Sequence, residues 1–134
     1  MSGFHLQIVT PDGERFSGEA EALRLRTTEG YVSIRKGHTD YVACLDIGMV
    51  TVTQDGIARN AACGGGFLSV EKGEVRLVAT TFEYAGDIDV ERAQVAVSLA
   101  EEKIAVSKEA KDIELAKVKL ARALNRISIA QRKE

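Results

Sequence analysis

The densest run of glycine in this sequence is Gly64-Gly65-Gly66, and glycine-rich loops can cradle phosphate through bare backbone N–H groups. A phosphate cradle needs a helix that opens directly after the run, usually with Lys followed by Ser or Thr. Here Phe67-Leu68-Ser69-Val70 follows, and this segment is typical of a strand. The run therefore predicts a β-bulge or a close approach of two backbones.

Histidine and cysteine are the residue types that would bring a metal ion or a nucleophile to this chain. His5 and His38 lie far apart, and neither has cysteines or carboxylates near it at metal-binding spacing. Cys44 and Cys63 lie nineteen residues apart (63 − 44), which is neither a CxxC motif nor a zinc spacing. We expect surface or packing histidines, buried reduced thiols and no metal site. No Ser-His-Asp set and no paired carboxylates stand out, so no catalytic residues and no required cofactor are predicted.

Six basic residues and no acidic residue occupy the stretch from Lys117 to Lys133. Four of them share one face of a helix because they are spaced by three, four and seven residues: Lys119, Arg122, Arg126 and Lys133. A basic run of this kind is most often a solvated helix face, and the alternative is docking on an acidic partner surface. The two interpretations differ in whether the charges have a partner outside this chain.

The chain divides near Gly86 into two segments of different composition. All twelve glycines and the single proline lie in residues 1–86, and none lies in the remaining 48 residues (134 − 86). Because glycine and proline mark turns, their absence permits long helices. The sequence therefore predicts one domain over 1–86 and a helical segment over 87–134.

The first segment alternates apolar and polar residues between turn signals. Leu6 and Ile8 alternate with polar neighbours, and hairpin signals follow at Asp55-Gly56 and at Glu71-Lys72-Gly73-Glu74. Turn signals at intervals of about ten residues are typical of an all-β sandwich or barrel. The predicted fold class is therefore α+β, with an antiparallel β-sandwich of roughly ten strands followed by a helical hairpin.

Two apolar stripes predict two helices, over about 89–106 and 112–131. Asp89 is the expected N-cap of the first helix. The polar stretch from Ser107 to Asp112 separates the stripes, so an antiparallel hairpin is expected. Both stripes are rich in alanine, with a few Ile, Val and Leu, and each alanine methyl contributes only about 1 kcal/mol on burial. The hairpin is therefore expected to be marginal and able to move.

The overall charge and hydropathy exclude two function classes. A net charge of −2 and a pI near 5.8 argue against a general nucleic-acid binder. No stretch is long and apolar enough to span a bilayer, and the first residues do not have the composition of a targeting peptide. The sequence predicts a protein of a soluble, reducing compartment that can attach to a membrane only through a partner.

Short motifs over nearly the whole chain resemble the epsilon subunit of the rotary proton-translocating ATP synthase. The most specific is Ile88-Asp89-Val90-Glu91-Arg92-Ala93, which matches the family's IDxxRA signature at the start of the first helix. The other matching segments are Leu6-Gln7-Ile8-Val9-Thr10-Pro11-Asp12, Thr28-Glu29-Gly30, Gly65-Gly66-Phe67-Leu68-Ser69-Val70 and Val75-Arg76-Leu77-Val78-Ala79. Two segments depart from the family. The family usually reads Ile-Leu-Pro-Gly-His where this chain has Ile34-Arg35-Lys36-Gly37-His38, and Cys63-Gly64 replaces what is usually a bulkier pair before Gly-Gly-Phe.

The resemblance implies a non-catalytic rotor subunit of the central stalk. In the family, the sandwich docks on the gamma subunit and on the c-ring. The helical hairpin either folds against the sandwich or extends along gamma toward the catalytic alpha and beta subunits. The extended hairpin inhibits ATP hydrolysis, and the subunit couples proton flow to ATP synthesis. The implied location is peripheral, on the cytoplasmic face of the energy-transducing membrane. The implied partner-binding residues are His38 and the four basic residues of the second helix.

Some members of the family bind regulatory ATP where the hairpin folds on the sandwich. Carried over by position, the nucleotide-binding residues would be Glu83, Ile88, Asp89, Arg92, Ala93, Arg122 and Arg126. Arginine suits phosphate, and a carboxylate can accept a hydrogen bond from the adenine amine. In the purely structural alternative, Asp89 caps the helix and Arg92 pairs with a neighbouring carboxylate. A rival function is a stand-alone ATP-sensing regulator or adaptor, which co-purification with a membrane ATPase would distinguish.

Overall fold

The computed structural model describes residues 3–132, and the chain forms two compact units, Met1–Tyr84 and Ala85–Glu134. The first unit contains the described strands and the second contains a short 3-10 turn and two helices. The strands are β1 (Phe4–Thr10), β2 (Gly13–Ala20), β3 (Ala22–Thr27), β4 (Gly30–Ile34), β5 (Tyr41–Gln54), β6 (Ile57–Glu71), β7 (Glu74–Ala79) and β8 (Phe82–Tyr84).

The strands hydrogen-bond in the order β2-β1-β7-β6-β5-β3-β4, and β8 pairs with β6. Among the described residues, neighbouring strands pair antiparallel except β1 with β7, which run parallel. The antiparallel sandwich is therefore confirmed with one exception. No hairpin joins β1 to β7, since five strands separate them along the chain, and their relative direction is not fixed by a turn.

The long strands β5 and β6 turn the sheet from one layer of the sandwich to the other. In β6 the core residues are Ala61 and Cys63 at odd positions, and then Leu68 and Val70 at even positions. The side of β6 that faces the core therefore changes across Gly64–Gly66. At the same place the hydrogen-bonding partner of β6 changes from β8 to β7. Strands that switch layers in this way do so through bends or bulges. We expected about ten strands and find eight in the described residues, because β5 and β6 each serve both layers.

The glycine run Gly64–Gly66 forms the bend at which β6 passes from one layer to the other, and this bend is called the corner. Gly65 and Gly66 have φ angles of 101° and 136°, and a Cβ on Gly66 would collide with the carbonyl oxygen of Val78 and lie 2.9 Å from the Cα of Ala79. Two further bonds hold the corner: Gly64 N donates to Thr81 O at 2.9 Å, and Thr80 N donates to Gly65 O at 2.9 Å. The predicted close backbone approach is confirmed.

One apolar core fills the space between the two layers. Its largest fully buried side chains are aliphatic: Leu6, Ile8, Leu23, Leu25, Ile34, Leu68 and Leu77. Full burial of one such side chain stabilises a fold by about 1.5–3 kcal/mol. The sandwich therefore has a substantial core of its own.

The helices α1 (Val90–Val106) and α2 (Ala110–Ala130) pack against each other as the predicted hairpin. The side chain of Asp89 accepts a hydrogen bond from Arg92 N at 3.1 Å, so the predicted N-cap is confirmed. The second helix begins two residues before the predicted start, with Glu109 as an N-cap whose side chain makes no capping bond. Alanine supplies most of the buried positions of both helices: Ala93, Ala100, Ala116, Ala123 and Ile129.

Over the part of the chain that the structure describes, neither helix has an apolar stretch long enough to cross a membrane.

Candidate partner-binding surfaces

A row of apolar side chains crosses four strands on the outer face of the sandwich. Strand register places Val9 of β1 beside Val78 of β7, Val78 beside Phe67 of β6, and Phe67 beside Cys44 of β5. Val42 lies two residues before Cys44 and extends the row along β5. These five residues are called the outer apolar row.

The outer apolar row is accessible at its β5 and β6 end. Val42 is 73% exposed and Phe67 is 44% exposed, while Val9 and Val78 are half-buried. Because side chains alternate across a strand, the inward neighbour of Phe67 is the fully buried Leu68. The row is thus an apolar surface whose strands are fixed in place because their inward side chains pack in the core. Contiguous exposed apolar patches of this kind mark sites of protein association.

The outer face of β3 and β4 is polar by contrast. The guanidinium of Arg24 lies 4.2 Å from the ring centroid of Tyr31, and Arg26 forms an ion pair with Asp46 at 3.6 Å. These side chains thus interact with one another within the sheet. The two outer faces of the sandwich therefore differ in chemistry.

The structure corrects the expectation that both cysteines are buried. Both are free thiols; Cys63 lies in the core, as predicted, whereas Cys44 is exposed. The apolar neighbours Ala43 and Leu45 suggested burial, but they lie on the opposite side of the strand from Cys44.

His38 lies in the turn between β4 and β5 and is half-buried. Its ring packs edge-on against Tyr41 with centroids 5.6 Å apart, and its Nδ1 lies 2.8 Å from Thr39 O. His5 has a similar local role, since its Nδ1 lies 3.0 Å from the carboxylate of Glu74. Both histidines thus contact neighbouring residues of the sandwich. Among residues 3–132, no group of three His, Cys, Asp or Glu residues could hold a metal ion.

Three of the four basic residues predicted to share a face lie on α2 within the described residues. Lys119 is exposed, and Arg122 and Arg126 are half-buried. Their spacings of three and four place them on one face of the helix. The fourth residue, Lys133, lies outside the described residues.

Six of the seven predicted nucleotide-binding residues belong to the helical unit. Ile88 and the N-cap Asp89 directly precede α1, and Arg92 and Ala93 lie in its first turn. Arg122 and Arg126 lie in the second half of α2. Because the helices are antiparallel neighbours, these two groups lie toward the same end of the hairpin. Asp89 already accepts the capping bond, and Ala93 has no exposed surface, so its methyl can contribute only packing. Glu83 is half-buried in β8 of the sandwich.

Sequence reasoning did not identify the outer apolar row. Its members come from four strands and meet only through the register of the sheet. One signal was present in the sequence: Phe67 alternates with the inward-facing Leu68, so it had to face outward if Leu68 was in the core.

Comparison with known protein families matches both units. Residues 3–85 match the beta-sandwich domain of the ATP synthase delta/epsilon chain. Residues 87–131 match the long alpha-helix domain of the same chain. The two family models together cover nearly the whole sequence in the order that the structure shows.

Relatives and solved structures agree with this match. An ATP synthase epsilon chain of Ruminococcus albus is 37% identical over 134 residues, covering 99% of this chain and all of the relative. That of Bacillus velezensis is 38% identical and covers 97% of this chain and 98% of the relative. A chain in the cryo-EM structure of Euglena gracilis mitochondrial ATP synthase has a TM-score of 0.75 at 24% identity, covering 90% of this chain and 76% of that one. This structural likeness shows that the fold is shared.

Proposed function

This chain belongs to the family of ATP synthase delta and epsilon chains, and from that membership we propose that it is a non-catalytic subunit of the rotor in a proton-translocating ATP synthase. In this proposal the sandwich links the gamma subunit to the c-ring, and the complex couples proton flow to ATP synthesis. The subunit is peripheral and works on the cytoplasmic face of the energy-transducing membrane.

The outer apolar row carries the docking part of this proposal. An obligate interface is more apolar than an ordinary protein surface and resembles a core cut in half. Phe67 and Val42 offer such a surface on a rigid sheet, and we assign them to the contact with gamma. Burying the exposed part of these two side chains contributes affinity in proportion to the apolar area removed from water.

The docking proposal is tested with full-length chains that carry an aspartate in the row. Phe67→Asp combined with Val42→Asp is expected to abolish recovery of the chain with the complex from detergent-solubilised membranes. Ile57→Asp is the matched control, since Ile57 is 64% exposed but lies at the start of β6, outside the row. Circular dichroism verifies that each variant folds. Normal recovery of the folded double variant would contradict the assignment.

We further propose that the hairpin inhibits ATP hydrolysis through the basic face of α2. From Lys119 to the end of α2 the sequence has three basic residues and no acidic residue, so we assign this part of the helix to an acidic surface of the catalytic alpha and beta subunits. Charge complementarity of this kind gives orientation and a faster encounter more than it gives affinity. The alanine-rich packing of the hairpin supports an element that can move.

The inhibition is tested by replacing Lys119, Arg122 and Arg126 with alanine in the assembled complex. The expected result is faster ATP hydrolysis, with an effect that shrinks as salt rises, because exposed charge pairs are screened. A second triple variant is the matched control and removes the same charge elsewhere in the hairpin: Lys103, Lys108 and Lys117 to alanine. Equal hydrolysis in the two triple variants would contradict the role of this face.

Regulatory ATP binding is a separate proposal for the start of α1 and the second half of α2. The same end of the hairpin carries Arg92, Arg122 and Arg126, and guanidinium groups suit phosphate oxygens. Calorimetry with the full-length chain is expected to detect ATP binding that Arg92→Ala and Arg126→Ala weaken. Arg15→Ala, on an exposed arginine of β2, serves as the control. Absence of binding, or an equal loss in all three variants, would contradict the proposal.

A further inference from the structure

We propose that Arg59 and Tyr84 form a clamp that holds the last strand of the sandwich in place and fixes the pivot of the hairpin at the junction that follows Tyr84. This inference rests on the proposed inhibition of ATP hydrolysis by a movable arm. It gives a contact within the sandwich a regulatory role, in which Arg59 is a positioning residue that acts through the arm.

The strand that leads into the hairpin is short. The three residues of β8 pair with residues 61–63 of β6, and the chain enters the helical unit directly after Tyr84. Segments with few backbone hydrogen bonds open at a low cost in free energy. An arm that moves while attached to β8 would therefore separate β8 from β6 unless side chains hold the strand.

Aromatic side chains hold β8 more firmly at its start than at its end. Phe82 is 6% exposed and belongs to the core of the sandwich. Its ring packs edge-on against that of Tyr84, with centroids 5.2 Å apart. Tyr84 itself is only half-buried and packs against the outside of the core. The end of β8 from which the arm leaves thus depends most on contacts outside the core.

Arg59 supplies such a contact. Its guanidinium carbon lies 3.9 Å from the centroid of the Tyr84 ring. Arg59 stands two residues before Ala61, which pairs with Tyr84, so Arg59 and Tyr84 are diagonal neighbours on one face of the sheet. A cation over an aromatic ring is attracted by the negative face of that ring. The clamp therefore ties the last residue of β8 to β6.

The chain directly after the clamp has the features of a hinge. Ala85–Asp87 form the 3-10 turn, which belongs to the helical unit and contacts α2. Gly86 is exposed, and nothing lies within 4 Å of a Cβ placed on it. The bond from Ile88 N to Ala85 O is 3.4 Å long, which is beyond the usual range for a hydrogen bond. Hinges are formed by a few residues of this kind at the ends of elements.

The clamp matters for the arm because β8 is close to opening. When three residue pairs are all that hold a strand, one lost side-chain contact shifts the population toward the open form. In the open form the arm is tethered from Thr80, whose N–H bonds to Gly65 O, instead of from Tyr84. A longer flexible tether lowers the effective concentration of the arm at its docking site. Loss of the clamp should therefore weaken inhibition while the inhibitory face stays intact.

The experiment uses full-length chains in the assembled membrane complex. Arg59→Ala removes the cation, Tyr84→Leu removes the ring, and a third chain carries both changes. Arg24→Ala is the matched control, because the Arg24 guanidinium lies 4.2 Å from the ring centroid of Tyr31 in the same kind of contact on β3 and β4. Circular dichroism verifies that each chain folds. Hydrogen exchange of the isolated chains reports the opening of β8, and ATP hydrolysis reports the arm.

Arg59→Ala should accelerate exchange of the β8 amides about 2–5-fold, the size expected for one exposed cation–π contact. Hydrolysis should become about 1.5–2-fold faster because the tether lengthens. The double variant should go no further than Tyr84→Leu alone, since both changes remove the same contact. Arg24→Ala should alter neither quantity. Unchanged exchange or hydrolysis in Arg59→Ala, additive effects in the double variant, or equal effects in Arg24→Ala would overturn the proposal.

The triple charge variant distinguishes failure of this inference from failure of the proposed function. Adding Arg59→Ala to the chain that carries alanine at Lys119, Arg122 and Arg126 should not accelerate hydrolysis further, because the arm then has no inhibitory face to position. If the triple variant releases hydrolysis and Arg59→Ala does not, only the clamp is wrong. If neither change affects hydrolysis, the inhibitory arm is wrong as well.

Discussion

The sandwich and the hairpin bury different kinds of side chain. The sandwich core is made of whole leucine, isoleucine and valine side chains, of which Leu6, Leu68 and Leu77 have no exposed surface. The hairpin buries mainly alanine methyls, such as those of Ala93 and Ala116. By area, a buried leucine contributes about two to three times as much as an alanine methyl.

This difference indicates a division of work between the two units. A large core holds the outer apolar row in a fixed geometry, as a permanent interface requires. A core of small side chains gives the helices little stability against unfolding or rearrangement. Mobile functional elements are drawn from such low-stability regions. The energetics of packing therefore match a docking platform and a movable arm.

The largest expected effect is on the sandwich core. Leu68→Ala should lower the free energy of unfolding of the sandwich by about 2–5 kcal/mol, because the cavity adds to the lost transfer energy. Denaturant unfolding followed by near-ultraviolet signals of the sandwich aromatics measures it. Ala116→Gly in the hairpin should leave that transition unchanged. A shift of the sandwich midpoint by Ala116→Gly comparable to that of Leu68→Ala would show that the two units are not distinct.

The layer-switching corner should be the most sensitive backbone position. Gly66→Ala forces a Cβ into the carbonyl of Val78 and should cost at least about 2 kcal/mol. Gly73→Ala is the matched control: its φ of 82° is also left-handed, but nothing lies within 4 Å of the new Cβ. We expect only about 1–2 kcal/mol there. Equal losses in thermal unfolding would mean that close packing at Gly66 is unimportant.

A smaller effect is expected at the start of α1. Asp89→Ala removes the bond to Arg92 N and should destabilise the helix by about 1 kcal/mol, whereas Asp89→Asn retains the cap. Native-state hydrogen exchange of the amides of the first turn measures the loss, and the strands should be unaffected. Protection that is unchanged in Asp89→Ala would show that the cap does not limit opening.

The smallest expected effect is a gain in the stability of α2. Glu109 is an N-cap without a capping bond, and Asp112 stands three residues later, so Glu109→Ser would create a capping box. We expect α2 to gain about 0.5–1 kcal/mol. Hydrogen exchange in the first turn of α2 should slow, with Lys108→Ser as the control outside the cap position. No slowing, or equal slowing in both variants, would contradict this reading of the cap.

The sequence predicted the elements whose signals are local. The hairpin, its break after Ser107 and the cap at Asp89 follow from spacing and from side chains that bond within one helical turn. The close backbone approach at the glycine run was also predicted, because glycine inside a strand marks such a site, and in the structure a Cβ on Gly66 would collide with Val78 O.

Features that depend on pairing distant strands could not be predicted in the same way. The outer apolar row requires Val9 and Val78 to be neighbours, and that follows only from the parallel β1–β7 pairing. The exposure of Cys44 depends on which face of β5 meets the core, and this face changes within the strand. A local pattern does not determine where such a change occurs.

The direct test of a platform with a separable arm is ATP hydrolysis by the membrane complex that carries either the full chain or a chain ending at Ser107. With equal amounts of assembled complex, we predict that the shortened chain is retained through its sandwich, unfolds at the same denaturant concentration as the full-length sandwich, and allows several-fold faster hydrolysis. Retention of the shortened chain with an unchanged rate of hydrolysis would contradict the inhibitory arm, and loss of the shortened chain from the complex would contradict the sandwich as an independent docking platform.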